Sequence, residues 1–180
     1  TENPYTWVIE NVPVGTEVTF TESGYDAEGY NLTINGKATS EENATKAVAK
    51  VTEEGKTAAA AFVNAYSRKV GSVQVTKAFS GVEGLPEGFQ IKNSFNDTVF
   101  TVGNKTSGTG KANDPYTWVI ENVPVGTEVT FTESGYDAEG YNLTINGKAT
   151  SEENATKAVA KVTEEGKTAA AAFVNAYSQK

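Results

Sequence analysis

YTWVIENVPVGTEVTFTE, residues 116–133, decides the fold class. Two runs of alternating apolar and polar residues, 116–123 and 127–133, flank Pro124 and Gly126. Period-two alternation marks strands whose side chains point to opposite faces in turn, and Pro and Gly punctuate the connection between them. The same letters stand at residues 5–22, and reading outward, residues 4–67 recur as residues 115–178 without a substitution, at an offset of 111. A 111-residue period is too long for a solenoid unit of roughly 20–50 residues and suits a whole domain repeated in tandem. Residues 1–67 then read as a truncated repeat, the C-terminal part of the unit without its first strands, and residues 68–180 as a complete one.

The rest of the complete unit carries the same signature. GSVQVTKAF (71–79), FQIKNS (89–94) and TVFTV (98–102) are expected strands, with the loop KTSGTGKANDP before Tyr116. Asn146-Gly147 in NLTINGKAT is a favoured two-residue hairpin turn. TKAVAKVT and KTAAAAFVNAY are expected to form a final hairpin about Glu164, Glu165 and Gly166, and residues 150–161 are read as strand with at most one helical turn at the start. About seven short strands at this spacing predict an all-β, Ig-like β-sandwich.

Composition narrows function by exclusion. Cysteine, histidine and methionine are absent, which removes disulfides, cysteine- or histidine-based zinc sites and any nucleophile that relies on a histidine base. A net charge of −8 argues against a phosphate-backbone partner, so no nucleic acid is expected. No apolar run approaches the roughly 20 residues that span a bilayer, so membrane insertion is not expected either. The loop around Asn113 and Asp114 lacks the alternating acidic pattern of an EF-hand, and neither metal nor cofactor is expected.

Three polar residues break the apolar stripes. Val73, Val75 and Lys77 share a face of the first strand, Val129, Phe131 and Glu133 share one in a middle strand, and Ala171, Phe173, Asn175 and Tyr177 share one in the last. Burial disfavours the charged form of both a lysine and a carboxyl group. A neutral amine, a carboxamide and a protonated carboxyl group are the nucleophile, electrophile and proton donor of an amide exchange, which would join Lys77 to Asn175 with loss of ammonia, assisted by Glu133. Pattern alone leaves open that Lys77 reaches the sandwich edge, that Glu133 is exposed at a strand end, and that Asn175 only satisfies backbone groups.

At this point the residues resemble a family. VQVTKAFSG, the LPEGF after it, YTWVIENVPVGTEVTFTESGYDAEGY and the terminal AFVNAY are similar to the collagen-adhesin B-type (Cna B-type) domains of Gram-positive surface proteins and pilins, over residues 68–178. The resemblance implies that a lysine of the first strand is joined to an asparagine of the last under catalysis by an acidic residue, and the matching positions are Lys77, Asn175 and Glu133. A related family makes a Thr–Gln ester, for which Gln90 is available; the absence of histidine weighs against it.

The expected function is a structural spacer in a cell-surface adhesin or pilus-like fibre of a Gram-positive bacterium, extracellular, with any wall anchor elsewhere, and not an enzyme for an external substrate. Neighbouring repeats of the same protein are the expected partners. The competing readings are a ligand-binding adhesin module that presents Tyr136 and Tyr141 to a host ligand of unknown identity, and a fragment suited to strand complementation or ligation. The truncated copy keeps Glu22 and Asn64, equivalent to Glu133 and Asn175, but has no lysine strand ahead of it. One lysine strand therefore serves two asparagines, with Lys77 expected on Asn175 and strand exchange with another copy as the alternative.

Overall fold

The two copies of the repeat do not form the same strands. In the computed structural model, which describes residues 2–180, the chain divides into one unit that ends at Arg68 and a second that spans Lys69–Lys180. The first holds β1 (Glu17–Thr21), β2 (Tyr30–Ile34), β3 (Lys37–Ala38), β4 (Lys46–Lys50) and β5 (Asn64–Arg68). The second holds β6 (Val70–Ser80), β7 (Gln90–Asn93), β8 (Val99–Phe100), β9 (Tyr116–Pro124), β10 (Glu128–Ser134), β11 (Tyr141–Ile145), β12 (Lys148–Ala149), β13 (Lys157–Lys161) and β14 (Thr168–Gln179).

The second unit is an all-β sandwich. One sheet has the order β13-β10-β7-β8 and the other β12-β11-β14-β6-β9. Alternation sends Val73, Val75, Trp118, Ile120, Ala171 and Phe173 from one sheet to meet Ile91, Phe100, Val129 and Phe131 from the other. Trp118 stacks on Phe100 with ring centroids 5.9 Å apart, and its indole N–H donates to Thr101 O at 2.9 Å. The largest fully buried side chain is thus apolar over its body and hydrogen-bonded at its polar edge.

β6, the first strand, lies between β14 and β9, parallel to the former and antiparallel to the latter. First and last strands of the unit are therefore neighbours, with almost the whole domain looping between them. Asn146 and Gly147 turn β11 into β12 with φ of 49° and 79°, the left-handed pair that a two-residue hairpin requires.

Three local expectations need correction. β13 and β14 are not a hairpin: β13 pairs with β10 in one sheet while β14 pairs with β11 and β6 in the other, so the Glu164–Gly166 turn carries the chain across the sandwich. Residues 150–156 are turns, with Asn154 at φ 59°, and strand begins only at Lys157. The expected strand 98–102 is only Val99–Phe100, followed by a 3-10 turn at Val102–Asn104 in which Asn104 Oδ1 accepts from Thr101 N at 2.8 Å. Here a side chain competes successfully with the strand ladder for backbone donors.

In the first unit β1 pairs with β4, and β5, β2 and β3 make a three-stranded sheet in the registers of their counterparts. Residues 5–13 and 57–63, whose letters form β9 and most of β14 in the second copy, are not strand. Local propensity is the same in both copies, so it does not account for the difference. β6 does, because it hydrogen-bonds to both of those segments in the second unit, and nothing in the first unit corresponds to it. Its absence leaves Trp7 86% exposed where Trp118 is 1% exposed, and Ile9 60% where Ile120 is 6%.

Candidate functional site

Lys77 and Asn175 are completely buried and Glu133 is 2% exposed, and these three are the buried polar or charged residues among the described ones. Each continues an apolar stripe on its strand, as the alternation predicts. In the parallel β6–β14 register Lys77 pairs with Phe173 and Asn175 with Phe79, so Asn175 is the diagonal same-face neighbour of Lys77. Glu133 comes from the opposite sheet, where it pairs with Ile91 of β7.

Lys77 Nζ donates across the sandwich to Glu133 Oε2 at 2.7 Å. The ammonium also lies 4.8 Å from the Phe89 ring centroid and 5.8 Å from that of Phe173, so two aromatic rings stand where water would. Burial lowers the Lys77 pKa from 10.5 to about 8, against the charge and hydrogen bond of Glu133, which hold it up. Desolvation outweighs pairing here, the usual outcome when a point charge on a flexible stem is enclosed by hydrocarbon.

The remaining polar atoms of the cluster have no partner. Glu133 Oε1 and both side-chain polar atoms of Asn175 are buried without a hydrogen bond. Leaving such an atom unpaired costs roughly 1–3 kcal/mol apiece, so each requires a reason. Tyr177, two residues beyond Asn175, gives its hydroxyl to Tyr136 O at 2.7 Å. Its pKa is raised by burial, with the nearby Asn175 carboxamide opposing the rise; that amide lies close to the hydroxyl without hydrogen-bond geometry to it. A lysine ammonium, its carboxylate partner and an unsatisfied carboxamide are thus all buried in the interior of the sandwich.

A family model described as a domain of unknown function (DUF5979) matches residues 1–67 and 73–178. The chain belongs to that family. Both copies of the repeat fall within the DUF5979 match, the first without a lysine strand and the second from Val73 of β6 onward. No curated protein matches the chain. Among solved structures, it is similar to the major pilin protein T3.2 from Streptococcus pyogenes at 17% identity, covering 94% of this chain and 69% of the pilin, with a TM-score of 0.39. It is also similar to the pilus-presented adhesin Spy0125 (Cpa) at 15% identity and a TM-score of 0.30, covering 59% of this chain. The chain spans 27% of that adhesin's length. Likenesses this weak carry nothing about activity.

Other sequence candidates have ordinary structural roles. Tyr136 packs against the core and its carbonyl accepts from Tyr177, and the Tyr141 ring meets Tyr177 edge-on at 6.4 Å. The loop tyrosines therefore serve packing. Gln90 lies on β7, in the sheet opposite Asn175. Among the described residues no group of three or more acidic side chains could hold a metal ion, and no helix is long and apolar enough to cross a membrane. In the first copy Glu22 and Asn64 are half-buried, and Glu22 Oε1 and Asn64 Oδ1 are also buried without partners. Sequence reasoning put Phe173 on the face of Asn175 and Phe89 at the start of an expected strand, but it did not anticipate that both rings would enclose the amine.

Proposed function

We propose that the second unit is a self-cross-linking spacer domain of a Gram-positive surface fibre or adhesin stalk, closed by an isopeptide bond between Lys77 and Asn175. The observation that carries this reading is the Asn175 carboxamide, fully buried and unpaired beside a buried Lys77–Glu133 ion pair. A carboxamide with only a structural role would be expected to have found partners. One that is to be attacked needs an accessible carbonyl carbon and a free oxygen for the incoming proton.

The chemistry balances within the cluster. Glu133 takes a proton from the Lys77 ammonium, leaving a neutral amine and a protonated carboxyl group, an exchange favoured by the surroundings because both become uncharged. The amine attacks Asn175 Cγ while the carboxyl proton passes to Oδ1. Glu133, again a carboxylate, takes the surplus proton from the attacking nitrogen and gives it to Nδ2; as the C–N bond to Nδ2 breaks and C=O re-forms, the Oδ1 proton returns to Glu133, and ammonia departs to be protonated in solvent. The new amide offers one N–H and one C=O to the carboxyl group, satisfying atoms that are unpaired before reaction. Strands on a rigid sandwich hold amine and carbonyl in place, which supplies much of the rate. No external substrate or cofactor takes part, so the domain is not an enzyme in the ordinary sense.

The parallel arrangement of β6 and β14 gives the bond a mechanical role. Tension between Lys69 and Lys180 pulls the two strands past one another in shear. With residues 77 and 175 joined, force enters along the start of β6, crosses the bond and leaves along the end of β14. Residues 78–174 then carry no load, and neighbouring repeats act as stiff links in one fibre at the cell surface. Stretching single molecules between residues 69 and 180 tests this: the second unit should release no length before the chain detaches. An unfolding step that releases residues 78–174 sinks the reading.

A further inference from the structure

Asn146 does more than turn the chain from β11 into β12. Its carboxamide reaches sideways to β14, where Nδ2 donates to Ala172 O at 3.0 Å and Oδ1 accepts from Val174 N at 2.8 Å. Its backbone N–H donates to Val174 O, also at 2.8 Å. β11 pairs with β14 from Tyr141 opposite Gln179 to Ile145 opposite Asn175, so the strand ladder on that side stops at Asn175. The Asn146 side chain takes the place of further strand and carries the ladder on to Ala172. It grips β14 on both sides of Phe173, the residue that pairs with Lys77 in the β6 register, and immediately before Asn175.

Turn geometry does not account for this asparagine. A two-residue hairpin with positive φ at both positions accepts Asp-Gly and Gly-Gly as well as Asn-Gly. A carboxamide offers a donor and an acceptor together, whereas an aspartate would set a carboxylate against Ala172 O and a glycine would offer nothing. The first copy repeats the contact: Asn35 Nδ2 donates to Ala61 O at 3.0 Å and Oδ1 accepts from Val63 N at 2.9 Å. There residues 57–63 are not strand, so the clamp belongs to the turn and is not a by-product of the β6–β14 ladder.

We propose that Asn146 is a positioning residue for the amide exchange, holding β14 at Ala172 and Val174 so that Asn175 Cγ stays within reach of Lys77 Nζ. The proposal rests on the amide-exchange reading of Lys77, Glu133 and Asn175, and it places Asn146 outside the chemistry itself. β6 borders β14 on one edge and β11 on the other, so the clamp holds the Asn175 segment on the edge away from the lysine. A displacement of about 1 Å can cost roughly a hundredfold in such a reaction, which makes the last rung before Asn175 matter to the rate.

The test dilutes each full chain from denaturant, before it has folded, and follows the Lys77–Asn175 linked fragment by peptide mapping. Trp118 is buried and Trp7 exposed, so the fluorescence that resists a soluble quencher counts chains whose second unit has folded. The rate is then read per folded chain, and a loss of stability alone does not move it. Asn146→Gly keeps the turn, removes the carboxamide and should slow closure by about tenfold or more. Asn146→Asp keeps an acceptor, loses the donor and should be slowed as well. Asn35→Gly, the same change in the same local sequence of the first copy, should close at the unsubstituted rate. If both Asn146 variants close as fast as the unsubstituted chain, this inference fails while the proposed function stands. Equal slowing by Asn35→Gly overturns the assignment to the clamp on β14. If the unsubstituted chain never yields the linked fragment, the proposed function fails and takes this inference with it.

Discussion

Lys77 on β6 and Asn175 on β14 stand one same-face step apart on neighbouring parallel strands, Lys77 opposite Phe173 and Asn175 opposite Phe79. A bond between them closes a loop of nearly the whole unit, and it does so at the two strands that the chain's ends would pull apart.

Asn175→Ala removes the acceptor and leaves the Lys77–Glu133 pair in place. In the chain-entropy account of cross-links, a loop of this size is worth roughly 4–5 kcal/mol. The variant should fold to the same sandwich and melt lower by an amount on the order of 20 °C, followed by calorimetry. An unchanged melting temperature would mean that no covalent closure was lost.

In the same variant Lys77 keeps its ionisable amine, and the sign of its pH effect follows from the direction of the shift. The folded state sheds this proton near pH 8, whereas the unfolded chain holds it to about 10.5. Between these values the unfolded state binds more protons, so stability rises with pH across the window and the gain is absent below it. Denaturant titrations of Asn175→Ala from pH 8 to 10.5 should show this rise relative to the unsubstituted chain, in which the amine has become an amide. Parallel pH profiles for the two proteins would count against a cross-link in the unsubstituted one.

The duplicated tryptophan offers an internal control for the role of β6. Trp118→Ala empties the centre of a packed core and should cost roughly 3–5 kcal/mol. Trp7→Ala, the same substitution in the same local sequence, removes an exposed ring and should change stability by less than about 0.5 kcal/mol. Equal costs would mean that the first unit has a core after all.

Much of this was legible before the structure. Alternation put Lys77, Glu133 and Asn175 on the same faces as Val73, Val129 and Phe173, because the side-chain period of a strand is two, but it left open whether Lys77 reached the edge or Glu133 lay exposed at a strand end, which their burial decides. Asn146 and Gly147 announced their turn through the positive φ it requires. Sheet membership was not legible. β13 and β14 are joined by a hairpin-like Glu-Glu-Gly turn, yet they enter different sheets, since a turn constrains chain direction locally and says little about which distant edge each strand will join. Nor could the sequence say that residues 5–13 and 57–63 would fail to become strands. Their letters are those of β9 and β14, and only the presence of β6 between them makes the ladder.

The central claim is one covalent bond within the second unit, and the intact mass of the chain tests it most directly. The account predicts a mass lower than that of the sequence by one ammonia, with a proteolytic fragment linking Lys77 to Asn175. The full sequence mass is expected for Glu133→Gln, which cannot relay the proton. A full sequence mass for the unsubstituted chain would contradict the account.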